Sequence, residues 1–417
     1  MINVSTDILI VGGGSAGIAA AVSAAEEGYG VCLIERNDYL GGKATAAEVG
    51  TICGLYKFSK NEKTEFVTGG FAKEFALKLA QLSNTSPLNN VHGLHYLPYD
   101  IEKYKSLSIK FIENHKVNVY FNSDIISAQT NNKTIMVVVI KTIDKEIHIS
   151  CKSVIDCSGN SHISQLTHSP LITSDNYQAA AQVFTLEGIN PISELALGLL
   201  LIKEIKKAVV NNTLTSDYEK LYLVQGSIKN NKASFKLAVP ATVTEQELNS
   251  SFLRDVAVEM ISCLVNYLNT HVDFFKNSKL FSIAPETGIR TGVRPIGKYI
   301  LSENDVLTCK KFESGIANGA WPIEEWGQNK QVKMRYFNEN DFYQIPADCL
   351  KSIEITNLFF AGRNISADDG AIASARVMGI CFQTGYAAGK LAANFISGNA
   401  EIKTIASIRE KQVVIAR

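Results

Sequence analysis

Six residues near the start of the chain, Gly12-Gly13-Gly14-Ser15-Ala16-Gly17, constrain its fold more than any other stretch. They follow Asp7-Ile8-Leu9-Ile10-Val11, a nearly all-apolar run that suits a parallel strand covered on both faces. An Ala-rich stretch from Ile18 to Glu27 predicts a helix, Gly28 its stop, and Val31 to Glu35 a second buried strand. The whole is a βαβ unit of about 30 residues. Gly12 permits the tight turn, Gly14 lets backbone approach a pyrophosphate, and Gly17 lets helix and strand pack closely. Ser15 and Ala16 open a helix whose free N–H groups and partial positive charge face the phosphates. Glu35 stands 18 positions after Gly17, where a carboxylate accepts hydrogen bonds from ribose hydroxyls and repels a 2′-phosphate. The pattern predicts a dinucleotide site. It does not separate FAD from NAD.

At 417 residues the chain is long enough for two to three domains of about 150 residues, with a large core and no need of disulfides. Lys and Arg total 41, as do Asp and Glu, so the chain lacks the basic surplus of a nonspecific nucleic-acid binder. The cysteines at 32, 53, 151, 157, 263, 309, 349 and 381 form no CxxC, which suits free thiols in a reducing compartment. His92 and His95 have no nearby Cys or acidic partner, so no metal is expected. No Lys or Arg precedes Arg36, unlike the start of a secretory signal. The longest apolar helical stretch, Leu195 to Ile202, is far short of the ~20 residues that span a bilayer. The expectation is a cytoplasmic protein with no membrane partner; oligomeric state is left open.

Three further segments carry a resemblance. Arg36 to Thr45, with Gly41-Gly42-Lys43 at its centre, resembles the second phosphate-contact segment of the flavoprotein superfamily that includes glutathione reductase and fumarate reductase. Ser153 to Asn160, a strand ending in Cys157-Ser158-Gly159, is similar to the small-residue turn those proteins place beside the cofactor. Asn357 to Phe360 followed by Ala361-Gly362-Arg363 leads toward a helix-like stretch from Ala371 to Ala393, as in the superfamily's returning C-terminal segment. With Gly288 to Asp305 and Tyr343 to Leu350, the resemblance is to the bacterial FAD-dependent oxidoreductase family and covers most of the chain. It implies FAD as cofactor. The implied contacts are Gly12, Gly14, Ser15, Ala16, Gly17, Glu35, Arg36, Gly41, Gly42, Lys43, Thr45, Ser158, Gly159, Gly362, Arg363, Asp369, Gly370 and Ala371. Amides at Gly370 and Ala371, opening the last helix, are the candidates to stabilise charge on reduced flavin.

The implied fold is α/β: a Rossmann-like, doubly wound FAD-binding domain (residues 1–170 and 281–417) with a β-meander, and an inserted α+β cap over residues 171–280. Thr134 to Ile140 and Glu146 to Ser150 read as a hairpin, and Asp100 to Lys116 as a helix before strand Val117 to Phe121. In the cap, Ala179 to Glu187 and Lys232 to Val239 read as strands, and Ser193 to Val210 and Thr244 to Phe275 as helices. Phe252, Val256, Met260, Leu264 and Leu268 give the second helix its core stripe.

Arg290 and Arg294 are the expected substrate-orienting groups, because a permanently charged planar guanidinium suits a substrate carboxylate or a flavin phosphate; a structural salt bridge or surface charge is the alternative. Trp326 and Asp369 stand where the family would carry histidines, and Ala347-Asp348 where Tyr-Arg is usual. Asp368 or Asp369 is therefore the expected proton-handling group, with capping of the final helix or binding of a ribityl hydroxyl as the alternatives. The expected activity is hydride removal from a small anionic substrate, with electrons passing to an acceptor. The alternatives are an NAD(P)H-dependent flavin monooxygenase and a non-catalytic flavin-binding sensor or assembly protein.

Overall fold

The structure, a computed structural model, describes residues 2–60, 63–175, 177–249, 251–327 and 332–412. Met1, 61–62, 176, Ser250, 328–331 and 413–417 lie outside them; all fall inside the expected domain spans, and Ser250 inside the helix expected from Thr244 to Phe275. The chain begins with strand β1 (Ile2–Val11), helix α1 (Ser15–Glu26) and strand β2 (Val31–Ile34). Helix α2 (Ile101–Asn114) is capped by Asp100, whose carboxylate accepts from the N–H groups of Glu102 and Lys103. It leads into β3 (Asn118–Tyr120) and then β4 (Asp124–Asn131), β5 (Thr134–Lys141) and β6 (Glu146–Asp156). These strands form one sheet in the order β3-β2-β1-β6-β5-β4. β1 runs parallel to β2 and to β6, in registers that put Val11 beside Ile34 and Asp156. Parallel central strands are covered on both faces, which is why Ile8, Leu9 and Ile10 are all fully buried. The predicted hairpin arm and the Ser153–Asp156 strand are one continuous strand, β6. Its first half pairs with β5 and its last residues with a strand from the far end of the chain.

The middle of the chain builds a second layer of its own. Strand β7 (Ala181–Glu187), helix α3 (Glu194–Val210), strands β8 (Leu221–Leu223) and β9 (Lys232–Ala238), helix α4 (Phe252–His271) and strand β10 (Lys279–Ile283) follow in sequence. They make an antiparallel sheet, β8-β9-β7-β10, backed by the two helices. Phe184, Leu201, Phe235, Ile261 and Leu264 meet in a core separate from that of the large sheet. The buried stripe of α4 is Leu253, Ala257, Ile261, Leu264, Tyr267 and Leu268. Phe252 is half exposed, and Val256 and Met260 only partly covered, so the expected stripe is displaced by one position over its first half.

Strand β11 (Leu358–Phe360) then returns to the large sheet, parallel to β6. The single helix expected from Ala371 to Ala393 is two: α5 (Asp369–Ala375) and α6 (Met378–Ser397). Val377, extended at φ −72° and ψ 151°, separates them. The small residues of α6 have a packing role. A Cβ on Gly385 would collide with the Ala16 carbonyl of α1, and one on Gly389 with Ser23 and Ala20. Among the described residues no helix is long and apolar enough to cross a membrane. His95 is a buried structural residue, within hydrogen-bonding distance of the Ser59 carbonyl (3.1 Å) and Thr64 Oγ1 (3.2 Å). No group of three His, Cys, Asp or Glu among the described residues could hold a metal ion.

Candidate active site

A groove of about 1210 Å³, part of it open to solvent, runs along the carboxyl ends of β1, β2 and β6. Backbone builds its centre. Gly12 takes φ +96°, and a side chain there would drive a Cβ to 2.7 Å from the Cys157 carbonyl. The Gly41 N–H donates to the Gly13 carbonyl (2.9 Å), which seats the double-glycine turn against the loop. Gly42, at φ +52°, approaches so closely that a Cβ would lie 2.9 Å from the Gly14 Cα. Ser15 and Ala16 complete this wall at the start of α1.

Charge gathers at one end. The buried Glu35 carboxylate accepts from the Gly13 N–H (2.8 Å) and the Asn37 N–H (2.9 Å). Burial pushes its pKa up, and those two N–H groups work against the rise. Arg36 and Lys43 both reach Glu286, each at 2.6 Å. Burial alone would raise the Glu286 carboxyl, but the two cations outweigh it and hold it at about 2. Burial pulls Lys43 down to about 8 despite its ion pair. Ser123, Asp124 and Ile125 close this end.

The other end is formed by Cys157-Ser158-Gly159-Asn160, Gly362-Arg363 and Arg376 with Met378 and Cys381. Arg363 donates to the Ile289 carbonyl (2.6 Å) and lies where a Gly159 side chain would otherwise stand. Asn160 Oδ1 and Arg376 Nε are buried without a hydrogen-bond partner among the described residues. Buried polar atoms of this kind are costly unless a ligand or water satisfies them.

The sequence matches the family described as FAD dependent oxidoreductase over residues 7–414. The chain belongs to that family. It is an enzyme whose cofactor is FAD. Among solved structures, a geranylgeranyl bacteriochlorophyll reductase-like protein from Thermoplasma acidophilum is similar at 14% identity over 99% of this chain and 85% of that one, with a TM-score of 0.47. The myxobacterial FAD-dependent chondrochloren halogenase CndH is similar at 11% identity over 97% and 78%, with a TM-score of 0.45. The aromatic hydroxylase CabE, from angucycline biosynthesis, is similar at 9% identity over 97% and 65%, with a TM-score of 0.49. A search of curated proteins finds no match to the sequence.

The groove of this FAD-dependent oxidoreductase fits its cofactor. It offers a glycine cradle for phosphates, an acid at the ribose position and orphaned polar atoms at the far end. Of the residues singled out in the sequence, Gly12, Gly14, Ser15, Ala16, Glu35, Arg36, Gly41, Gly42, Lys43, Ser158, Gly159, Gly362 and Arg363 converge on it. Two others shape it from behind. Gly17 packs onto the Gly12 carbonyl, and Thr45 closes the double-glycine turn by donating to the Leu40 carbonyl (2.9 Å).

Asp368, Asp369, Gly370 and Ala371 do not line the groove. Asp368 caps α5 through the Ala371 N–H (2.7 Å) and also accepts from the Glu303 N–H (2.8 Å). Asp369 accepts from Ser174 Oγ (2.8 Å) and pairs with Arg294 at 2.6 Å. Arg294 is fully buried, spending its other donors on the carbonyls of Ala367 and Gly292, so it too is structural. Asp348 forms an ion pair with Lys351. The helix that opens onto the groove is α6, with Arg376 just before it, because the chain breaks at Val377 and aims a fresh N-terminus there. Residues the sequence reading missed are Asn37, Ser123 to Ile125, Asn160, Glu286, Arg376, Met378 and Cys381. Of these, Asn37, Asn160, Arg376, Met378 and Cys381 lie within segments the sequence reading had singled out, but not as contacts.

Arg290 lies next to Ile289 of the groove wall, and its guanidinium carbon is 4.1 Å from the Trp326 ring centroid. It also donates to the Ala179 carbonyl.

Proposed function

We propose that this FAD-dependent oxidoreductase oxidises a small organic anion, and that the antiparallel layer built around β7 to β10 is the cap that presents it. FAD held in the groove would supply the hydride-accepting chemistry, with a separate acceptor for the electrons. Gly12, Gly14, Gly41 and Gly42 hold the pyrophosphate by backbone approach, and Glu35 takes ribose hydroxyls. Ser158, Gly159, Gly362, Arg363 and the first amides of α6 would hold the ring end. Arg290 orients the substrate's negative end.

The observation that carries this reading is the position of Arg376, which lines the ring end of the groove and also pairs with Glu324 (3.5 Å) among the cations at the cap junction. A substrate held by those cations therefore sits beside the place where the hydride must be received. Anaerobic mixing of the flavin-loaded protein with a panel of small organic acids tests it. Bleaching of the flavin band by an acid, without nicotinamide, is expected. Bleaching only by NAD(P)H, with oxygen then incorporated into product, would replace dehydrogenation by monooxygenation.

A further inference from the structure

Lys236 on β9, Arg290 and Arg376 gather around one carboxylate, Glu324, where the cap sheet meets the start of α6. Glu324 accepts from the Trp321 indole N–H (3.0 Å) and pairs with Arg376. Lys236 Nζ lies 5.0 Å from the Trp326 ring centroid and 5.8 Å from that of Tyr222, and it has no hydrogen-bond partner among the described residues. Arg290 has no carboxylate partner among them either; its contacts are the Trp326 ring and the Ala179 carbonyl. Arg376 keeps Nε unpaired. The side chains of Arg376 and Glu324 retain 11% and 18% of their accessible surface, and Arg376 also lines the groove.

Three cations against one anion leave an excess of two positive charges. Among the other ionisable neighbours, the thiols of Cys53 and Cys381 are neutral, each pushed up to about 12 chiefly by burial, and Arg363 adds a further cation beside Arg376. Charges kept this far from bulk water are costly unless countered. We infer that this cation cluster binds a dianionic organic acid through Lys236, Arg290 and Arg376, and that Lys236 is the residue that selects a doubly over a singly charged substrate. The inference rests on the proposed flavoenzyme activity and narrows its substrate class. Burial, with Arg290 adding to it, lowers Lys236 to about 8, so the cation is present at neutral pH and is the first of the three lost on raising it.

Both tryptophans of the chain, Trp321 and Trp326, stand in this cluster, so intrinsic fluorescence reports on it without turnover. The flavin-loaded protein is titrated at pH 7 with malonate and with methyl phosphate, against acetate as the singly charged control. Saturable fluorescence changes are expected with one or both dianions, at least roughly tenfold tighter than with acetate. Malonate alone would indicate paired carboxylates, methyl phosphate alone a phosphate monoester. Lys236→Met should weaken the dianion by roughly ten- to hundredfold while flavin content stays unchanged, and Lys236→Arg should restore most of it. If Lys236→Met fails to fold, the unmodified protein still decides, because its dianion affinity should fall as pH rises through about 8. Equal affinity for acetate and the dianions, or a pH-independent affinity between 7 and 9, would overturn the inference. Turnover of neutral compounds with no dianion binding would overturn it too, yet leave the oxidoreductase activity standing. Dianion binding without any flavin reduction would do the reverse.

Discussion

The two ends of this active site are built from different materials. At the nucleotide end the chain uses backbone: glycines bring β1, α1 and the 41–42 turn within contact of one another. Its two cations, Arg36 and Lys43, share a carboxylate partner in Glu286. At the cap junction the site is made of long side chains from four distant segments, and two of its three cations lack a carboxylate. A phosphate-binding end can be preorganised by the fold itself. A substrate end leaves charge for the substrate to complete.

The largest effect expected from that contrast is at Gly14. Its backbone is ordinary (φ −74°, ψ −175°) and a Cβ would meet the Gly42 Cα only at a comfortable 3.7 Å. Gly14→Val should therefore fold yet purify colourless, with flavin affinity reduced by at least roughly a hundredfold, read from the visible absorbance. A full complement of flavin would remove the loop from the cofactor site. Arg294→Ala should cost about 3 kcal/mol of stability in denaturant unfolding, since it empties a fully buried site and leaves the Ala367 and Gly292 carbonyls without their donor. Its KM for substrate should not move; a selective rise in KM at unchanged stability would restore Arg294 to the substrate. Arg290→Ala should show the converse, a KM raised by roughly tenfold with flavin content intact. Loss of flavin there would assign Arg290 to the nucleotide end.

The smallest effect is at Glu286. Its pKa in the fold, about 2, lies below the ordinary value of 4.5, so its ion pairs contribute fully above pH 4.5 and are lost as pH falls toward 2. Glu286→Gln should lower stability by about 1 kcal/mol at pH 7 and by nothing near pH 2. A deficit that persists in acid would mean packing, not charge.

The same contrast explains what the sequence revealed. Gly12 to Gly17, Glu35, Gly41-Gly42 and Gly159 are local patterns, each needed for a turn or a close approach, and the sheet follows from short apolar runs such as Ile8 to Val11. Arg376 was hidden inside what reads as one unbroken helix, because nothing in Ala375-Arg376-Val377 signals a break as Gly or Pro would. Asp368 and Asp369 sit where a catalytic acid was expected, but Asp368 serves as a helix cap and Asp369 as the partner of a buried arginine. Only tertiary contacts decide between those uses. Lys236 comes from a segment with no motif at all, and Glu286 and Glu324 lie in segments read for Arg290, Arg294 and Trp326 rather than for their carboxylates.

The most direct measurement is a crystal structure of the flavin-loaded protein. The isoalloxazine should lie between Gly159, Arg363 and the Arg376–Met378 start of α6, with the pyrophosphate on Gly14 and Gly42. A ring instead stacked at Asp369 to Ala371, or phosphates away from the glycine loop, would contradict the site described above.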